Sequence, residues 1–425
     1  MNYTYRIAGP QDRDNYIDFI NYVFSFSHRP HDFKALYPRE YRDGFEGKAV
    51  HFLALNEAGQ IRAVVAVLPF EMQIAAHRLS CGFIGSVSVH PYARGEGHMK
   101  KLMAMANQWM MEQHMDLAVL DGHRQRYQYY GYSKGGAAFR YAVIKDNIRH
   151  GLKDVSTAPY RIEPVSSPDD DVLEKIHGLH SRTPVHVIRD LSQMYYTLTG
   201  INHRLYAVWK EDCFAGYFSA SGEDSLSELL LFDASDYAPV IKLWSNICQK
   251  ESFDIFMPAW NREIAEILDT FAEAAYIQQG GNMRVFCWEH VLPAMLALKQ
   301  MASGPLSDGC LRLLIDGQEM NLWVEKGSIS FSMGHVAGSA VPGLHSDVDD
   351  SATPKLHSDA DDSDAESSGS NSCHKGDSHS CAALSSMDLQ EKIFSTGSFL
   401  HPRPVGGEPK DWFPIPFSLP MPDHF

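Results

Sequence analysis

The sequence predicts an α/β protein with mixed sheets in three successive regions. Strand patterns rich in β-branched residues alternate with amphipathic helix patterns in the first region. The alternation begins again after a polar stretch near residue 156, and short strands bounded by Gly or Asp follow residue 286. A chain of 425 residues with 44% hydrophobic residues is long enough for two to four domains with cores of their own.

The first region, residues 1–155, is predicted to hold one mixed sheet with helices packed against it. Its predicted elements are a helix at 12–26, strands at 49–55, 61–69 and 80–89, a helix at 97–114, and strands at 117–120 and 139–144. The order strand, loop, helix, strand is typical of layered α/β domains.

The second region, residues 156–285, repeats this scheme after a stretch rich in Pro, Asp and Ser. Predicted strands at 205–210, 213–219 and 227–232 precede a helix at 239–250 and a strand at 252–257. Unlike the first region, it has no glycine loop between residue 232 and the helix. The third region, residues 286–425, has predicted strands at 310–315, 321–325 and 328–331.

Residues 344–385 are predicted to be a disordered acidic insertion in the third region. The octapeptide at 344–351 nearly repeats at 356–363, and the segment holds nine acidic residues and two lysines. Ordering a chain costs about 1–2 kcal/mol per residue, which so polar a segment cannot offset by burying apolar area.

Composition excludes several classes of function. A net charge of −16 disfavours binding to a nucleic-acid backbone and favours small cations or polyamines weakly. Seven scattered cysteines without a CxxC pair indicate free thiols in a reducing compartment, so we expect a cytoplasmic protein. No stretch approaches 18 apolar residues, and no metal-ligand spacing is standard. We therefore expect no membrane span and no metal.

The most informative segment connects a predicted strand to a helix. The strand ends at Val89, Pro91 stops it, and Arg94-Gly-Glu-Gly97 leads directly into an amphipathic helix. Glycines at 95 and 97 allow backbone N–H groups to converge where the helix begins, which suits a diphosphate. The alternative is an ordinary strand-to-helix turn with glycines at its end.

This segment resembles the acetyl-CoA motif of the GCN5-related N-acetyltransferases (GNATs), and reads Val87-x-Val89-x-Pro91-x-x-Arg94-Gly95-x-Gly97. The resemblance implies that the pantetheine arm of acetyl-CoA pairs with the strand at Val87, Ser88 and Val89. It also implies that the diphosphate is held by the loop, at Arg94, Gly95, Glu96, Gly97 and His98.

Residues 121–132 narrow the resemblance to the Eis-type (enhanced intracellular survival) acetyltransferases, through the pattern Tyr127-x-x-Tyr130-Gly131-Tyr132. The resemblance implies two tandem GNAT-like domains, the second degenerate, and a C-terminal domain like sterol carrier proteins. It also implies a homo-oligomer, possibly a hexamer. The three regions described above match this layout.

Two residues are assigned catalytic roles by the resemblance. Tyr127 is the proton donor to the leaving thiolate, with a packed aromatic as the alternative. The base is the terminal carboxylate of Phe425, whose ordinary pKa of about 3.3–3.7 must be raised by burial. A frayed chain end is the alternative for the tail, and His424 is a competing base.

These residues predict an acetyl-CoA-dependent N-acetyltransferase that transfers acetyl to a primary amine by direct attack. The resemblance implies a polycationic acceptor (an aminoglycoside, a polyamine or a lysine side chain) in a wide acidic pocket between the first two domains. Phe26 and Asp32 lie in a region that resembles the family's amine pocket, with a core aromatic and a helix cap as the alternatives. The competing hypotheses are a non-catalytic acyl-CoA sensor and a carrier of hydrophobic ligands.

Overall fold

A computed structural model describes residues 2–27, 30–334, 382–402, 404–418 and 423 of the chain. In chain order the strands are β1 (Thr4–Ile7), β2 (Val50–Leu55), β3 (Ile61–Ile74), β4 (His77–Val89), β5 (Leu117–Leu120), β6 (Ser133–Lys134), β7 (Ala137–Ile144), β8 (Tyr160–Val165), β9 (Val185–Val187), β10 (His203–Lys210), β11 (Cys213–Ser221), β12 (Ser225–Leu231), β13 (Ser252–Pro258), β14 (Ala274–Gln279), β15 (Asn282–Val285), β16 (Gly309–Ile315), β17 (Gln318–Glu325), β18 (Ser328–Gly334) and β19 (Ala382–Leu384).

The helices are α1 (Arg13–Ser27), α2 (Phe33–Leu36), α3 (Pro38–Tyr41), α4 (His98–Glu112), α5 (Arg124–Tyr127), α6 (Lys145–Gly151), α7 (Val172–His180), α8 (Leu191–Leu198), α9 (Tyr237–Ile247), α10 (Arg262–Asp269), α11 (Trp288–Ser303), α12 (Ser386–Phe394) and α13 (Thr396–Leu400). In the part of the chain that the structure describes, no helix is long and apolar enough to cross a bilayer.

The first sheet has the order β1-β2-β3-β4-β5-β15-β6, and β9 pairs with β3. Its long central hairpin, β3 with β4, is antiparallel, whereas β4 and β5 run parallel. The amphipathic helix α4 buries its apolar side, including Leu102 and Met103, against residues of β2 and β3 on one face. On the other face, α1 covers Leu53 and Val64.

The second sheet has the order β14-β7-β13-β12-β11-β10-β8. One face is covered by α9, whose Trp244 packs against Phe218, and α7 and α8 pack on the other. This sheet divides the chain differently from a boundary at residue 155, because β7 pairs with β13 and β14, and β15 returns to the first sheet beside β5. The hydrophobic pattern of a strand does not show which strand it pairs with. The placement of β7 in the second sheet and of β15 in the first therefore has no signal in the local sequence.

The third sheet has the order β18-β17-β16-β19. Its core is continuous with that of the first sheet, because α11 lies between them and packs on Leu79 and Phe83 as well as on Leu313 and Leu322. The predicted insertion at 344–385 extends too far. Ala382–Leu384 form β19, parallel to β16, since these three apolar residues can complete the sheet edge. Residues 344–381 lie outside the described part of the chain.

Candidate functional site

The site begins where β4 separates from its parallel neighbour. Pairing between β4 and β5 ends at Ile84 and Leu120, although β4 continues to Val89. On the β3 side, Val64 pairs with Ser88 and Ala66 with Gly85, so two residues of β4 face one of β3. This is a β-bulge. Among the described residues, the β5-facing edge of β4 from residue 85 to 89 has no strand partner.

A buried polar network holds this bulge. Ser86 has a positive φ of 51°, and its hydroxyl lies 2.9 Å from the Tyr41 hydroxyl. Tyr41 is in turn 3.0 Å from Nε2 of His51, whose Nδ1 is 3.1 Å from the carbonyl of Ala49. Burial lowers the pKa of His51 to about 3. The neutral ring therefore donates from Nδ1 to Ala49 and accepts at Nε2 from Tyr41, so the Tyr41 hydroxyl oxygen in turn accepts from the hydroxyl of Ser86.

The loop after β4 exposes a helix start. Gly95 and Gly97 have φ values of 87° and 80°, a left-handed conformation in which a side chain would be strained. No atom lies within 4 Å of the position that a Cβ on either glycine would occupy, so the space in front of them is open. The first-turn N–H groups of α4 have no intrahelical acceptor and carry the positive end of a 15-residue helix dipole. Arg94 is exposed beside them.

Two predicted cofactor residues use their side chains within the protein. The His98 ring is 1% exposed, with Nδ1 2.9 Å from the Tyr5 hydroxyl and Nε2 3.1 Å from Oε2 of Glu96. The same carboxylate accepts a 2.5 Å hydrogen bond from Tyr3. These contacts anchor the loop to the N-terminal strand, and the backbone N–H of Glu96 donates to the carbonyl of Ala93 at 3.4 Å. Ser88 is also buried, and its hydroxyl donates to the carbonyl of Ser86.

Tyr127 lies at the end of α5, just beyond the carboxyl end of β5. Its side chain is 8% exposed, and burial raises its pKa. Its hydroxyl has no hydrogen-bond partner among the described residues. The ring packs against Gly122, where a Cβ would lie 2.9 Å from Cε2 of the tyrosine. The charge of Asp121 raises the pKa of both Tyr127 and Tyr37, so this carboxylate lies near both phenols.

The neighbouring tyrosines differ in environment. Tyr132 is fully buried and donates a 2.8 Å hydrogen bond to Asn107 of α4. Tyr130 is half-buried, whereas Tyr129 is 81% exposed. Tyr127 is therefore the tyrosine of this segment that combines a buried ring with a hydroxyl that has no hydrogen-bond partner among the described residues.

Of the two residues proposed for the amine pocket, Asp32 takes its alternative role as a helix cap and Phe26 is exposed. Asp32 caps α2, because its Oδ1 accepts from the N–H groups of Lys34 and Ala35 at 3.0 and 3.4 Å. Phe26 is 61% exposed near the end of α1, and its ring centroid is 6.3 Å from that of Tyr22.

The C-terminal tail enters the interior through Asp423, whose carboxylate accepts 2.8 and 2.7 Å hydrogen bonds from Arg189. Arg189 also donates two hydrogen bonds to Glu228, and Arg39 donates to the backbone carbonyl of Asp423. The cluster joins α3, the segment after β9, and β12, and it is buried throughout. The predicted bases, His424 and Phe425, lie outside the described residues.

A separate group of side chains could hold a metal ion. Ligand atoms of Asp116, Cys287 and His290 lie within 4.8 Å of one another at the start of α11. Both oxygens of Asp116 already have partners, at 2.7 Å from Nδ1 of His290 and 2.8 Å from the N–H of Ser80. These hydrogen bonds connect Asp116 to α11 and to β4, and they account for the cluster without a metal ion.

Residues 4–135 match the family model of the acetyltransferase (GNAT) domain. This part of the chain is therefore similar to GNAT acetyltransferase domains. The match covers the splayed strands, the glycine loop and Tyr127, the features on which the acetyltransferase prediction rests. No curated protein matches the sequence.

Solved structures resemble the chain well beyond this domain. A conserved protein from Enterococcus faecalis V583 is 17% identical with a TM-score of 0.57, covering 79% of this chain and 86% of its own. A GCN5-related N-acetyltransferase from Anabaena variabilis is 14% identical, also with a TM-score of 0.57, and covers the same shares. Eis1 from Mycobacterium abscessus is 13% identical with a TM-score of 0.53, covering 78% and 85%. The predicted α/β class with mixed sheets is confirmed.

Several functional residues have no sequence motif. Tyr41, His51 and Ser86 come together only when α3, β2 and the bulge of β4 are in place. Arg189 and Glu228 are likewise scattered in sequence. Asp121 had a local signal, since a carboxylate directly after a buried parallel strand lies at the sheet edge where α/β ligands bind.

Proposed function

We propose that this protein is an acetyl-CoA-dependent N-acetyltransferase that acts on a primary amine by direct attack. The observation that carries the proposal is the β4 edge from Gly85 to Val89, which lacks a strand partner among the described residues and leads into the open helix start at Gly97. An extended amide chain can pair with such an edge, and a diphosphate can bind at the helix start that follows it.

The substrate acetyl-CoA would be bound mainly by backbone groups. The backbone of Val87, Ser88 and Val89 would pair with the amides of the pantetheine arm. The N–H groups at Gly95, Gly97 and the first turn of α4 would bind the diphosphate, and Arg94 would add charge-assisted contacts. The side chains of Glu96 and His98 would stabilise the loop, since both are engaged by the N-terminal strand.

Proton transfer would need one acid and one base. The amine nitrogen attacks the thioester carbonyl carbon, the carbon–sulfur bond breaks, and the departing thiolate receives a proton from the hydroxyl of Tyr127. Burial raises the pKa of Tyr127, so the phenol carries its proton at neutral pH. The amine's proton would pass to the terminal carboxylate of Phe425, or alternatively to His424. Asp423, anchored by Arg189, supports a role of this tail inside the protein.

The finer predictions are part of the proposal. The Eis-like subtype is supported by the similarity in fold to Eis1, and the sterol-carrier-like third domain and the homo-oligomer remain predictions. A polycationic acceptor requires several carboxylates near the thioester. Among the described carboxylates, Asp121 is the one whose charge adds to the rise in the pKa of Tyr127.

The test is acetyl-CoA turnover, measured by thiol release over a panel of amines, with Tyr127→Phe and a chain extended beyond Phe425. Tyr129→Phe is the matched control, because that ring is two residues away and exposed. We expect Tyr127→Phe to lower kcat by about 10²-fold without changing acetyl-CoA affinity, since one general acid contributes about that much. The extension should abolish turnover and leave acetyl-CoA bound.

Equal kcat for Tyr127→Phe and Tyr129→Phe would remove Tyr127 from the mechanism. Full activity of the extended chain would transfer the base role to His424 or to water. If acetyl-CoA binds and no amine is acetylated, the acyl-CoA sensor becomes the better description. Retention of apolar ligands without affinity for acetyl-CoA would favour the carrier.

A further inference from the structure

A cavity of about 120 Å³ lies on the face of the second sheet opposite α9. Its floor is formed where β12, β13, β7 and β14 lie side by side, and β9 and the C-terminal tail at Ser418 close its sides. Ala138, Pro258 and Gln278 are register partners across three of these strands, so their side chains share this face. The cavity therefore lies between the first two sheets.

The lining of this cavity is mostly apolar. Val185, Leu230, Phe256, Pro258 and Trp260 are among its apolar lining residues. Apolar walls favour a ligand group that leaves water on binding, and they penalise a charged group that has no partner inside.

The titratable side chains among the described lining residues, His180, His186 and Glu228, have hydrogen-bond partners within the protein. Both Glu228 oxygens accept hydrogen bonds from Arg189, and one also accepts from Tyr217. Burial opposes ionisation of Glu228, but the charge of Arg189 outweighs it and lowers the pKa of Glu228. Nε2 of His180 is 2.8 Å from a backbone carbonyl. Among the described lining residues, Glu228 is the only carboxylate, and its charge is paired with that of Arg189.

The cavity lies beside the proposed reaction centre. Gly280 forms part of its wall, and the next residue, Gly281, packs against Asp121 at the end of β5. A Cβ on Gly281 would lie 3.0 Å from Oδ1 of Asp121. Asn282 then donates a 2.9 Å hydrogen bond to the carbonyl of Gly122, the glycine that supports Tyr127.

We propose that this cavity binds the uncharged, apolar body of the acceptor, so that the preferred substrates are monoamines carrying one aromatic or aliphatic ring. The inference rests on the proposed N-acetyltransferase function and replaces the polycationic acceptor with a different class. An apolar cavity of about 150 Å³ binds benzene, and the volume here, about 120 Å³, is of the same order. Thr183 and Gln278 in the lining could each bond one neutral polar group of such a ring.

The experiment compares phenethylamine, ethylamine and spermidine as acceptors for the full chain and two variants. Ala138→Phe places a ring into the cavity, and Ala142→Phe is its matched control. Ala142 lies on the same face of the same strand, is also half-buried, and does not line the cavity. Thermal unfolding of each variant establishes that it is folded.

We expect the native chain to prefer phenethylamine in kcat/KM. Ala138→Phe should lower kcat/KM for phenethylamine about tenfold, which corresponds to about 1.4 kcal/mol. The value for ethylamine should stay unchanged, and Ala142→Phe should behave as the native chain. If Ala138→Phe does not fold, Leu230→Ala gives the converse test, because the enlarged cavity should raise kcat/KM for tryptamine relative to phenethylamine.

Two outcomes overturn the inference while the proposed function stands. One is a preference for spermidine, and the other is an equal effect of Ala138→Phe and Ala142→Phe on phenethylamine. If no amine is acetylated, the proposed function fails, and binding of phenol followed by NMR tests the cavity alone. Phenol binding that Ala138→Phe abolishes and Ala142→Phe preserves would support an apolar ring site, and absence of binding to the native chain would refute it.

Discussion

Replacement of Asp423 by alanine tests whether the C-terminal tail is held by its buried ion cluster. The carboxylate has a side-chain exposure of 3%, makes two hydrogen bonds to Arg189, and lies 4.0 Å from Nη1 of Arg39. Removing it takes away the carboxylate that Arg189 shares with Arg39, and Arg189 then keeps Glu228 as its ion-pair partner. We therefore expect the variant to be less stable and to lose its tail from the interior.

The magnitude follows from the burial of the pair. Breaking a buried ion pair by removing one partner costs about 3–5 kcal/mol, because an uncompensated charge remains. Asp423 lies near the end of the chain, so release of the tail can admit water to Arg189. We therefore expect the lower part of this range, about 3 kcal/mol. Asp423→Asn keeps the shape and one acceptor, so it should fall between the native chain and Asp423→Ala.

Urea unfolding and acetyl-CoA turnover are the two assays. Asp43→Ala is the control, because that carboxylate also pairs with a cation but is 85% exposed, and its loss should not move the urea midpoint. If the tail carries the base, Asp423→Ala should lower kcat at least tenfold with KM for acetyl-CoA unchanged. A loss of stability below about 1 kcal/mol would refute the buried-pair argument. Lower stability with full kcat would separate the cluster from catalysis.

Gly97→Ala should lower the free energy of unfolding by about 1–2 kcal/mol, because the φ of 80° at this position strains any side chain, and it should raise KM for acetyl-CoA. Gly59→Ala is the control, since its φ is 76°: it should lose the same stability and leave KM unchanged. Gly122→Ala should lower kcat about tenfold, since the new Cβ would displace Tyr127, and crystal structures of the variant would reveal a shifted ring or contradict this. Lowering the pH from 6.5 to about 3 should reduce the free energy of unfolding by up to about 5 kcal/mol at His51, because the unfolded state binds a proton that the folded ring excludes. Urea unfolding of His51→Gln across this range should show a flatter dependence, and an unchanged slope would remove His51 from the acid response.

Much of the candidate site could be predicted from local sequence. The strand before Pro91, the glycines at 95 and 97, and the helix that follows all lie within residues 77–112, and each acts through its own backbone conformation. The buried ring of Tyr127 agrees with the role that the resemblance implies. The cofactor role of residue 98 stays a prediction, and the contacts of the His98 ring with Tyr3 and Tyr5 have no local signal because these partners are distant in sequence.

The domain plan was predictable only in outline. Three sets of strands were expected and three sheets are present, but β7 and β15 exchange places between the first two sheets. The polar pattern at the end of the insertion also concealed β19, because three apolar residues give too weak a signal for a strand. In both cases the missing information is the pairing partner, which lies more than 60 residues away along the chain.

The sequence by itself determined the α/β class, the strand-to-helix loop and its glycines at 95 and 97, because these follow from residue types over a few neighbouring positions. Tertiary structure alone decided where β4 leaves β5, how Tyr41 and His51 hold Ser86, and how Arg189 binds Asp423. It also decided that Glu228 enters the cavity as a neutralised ion-pair member. Burial and charge pairing depend on residues brought together from distant parts of the chain, and no local pattern records their distances.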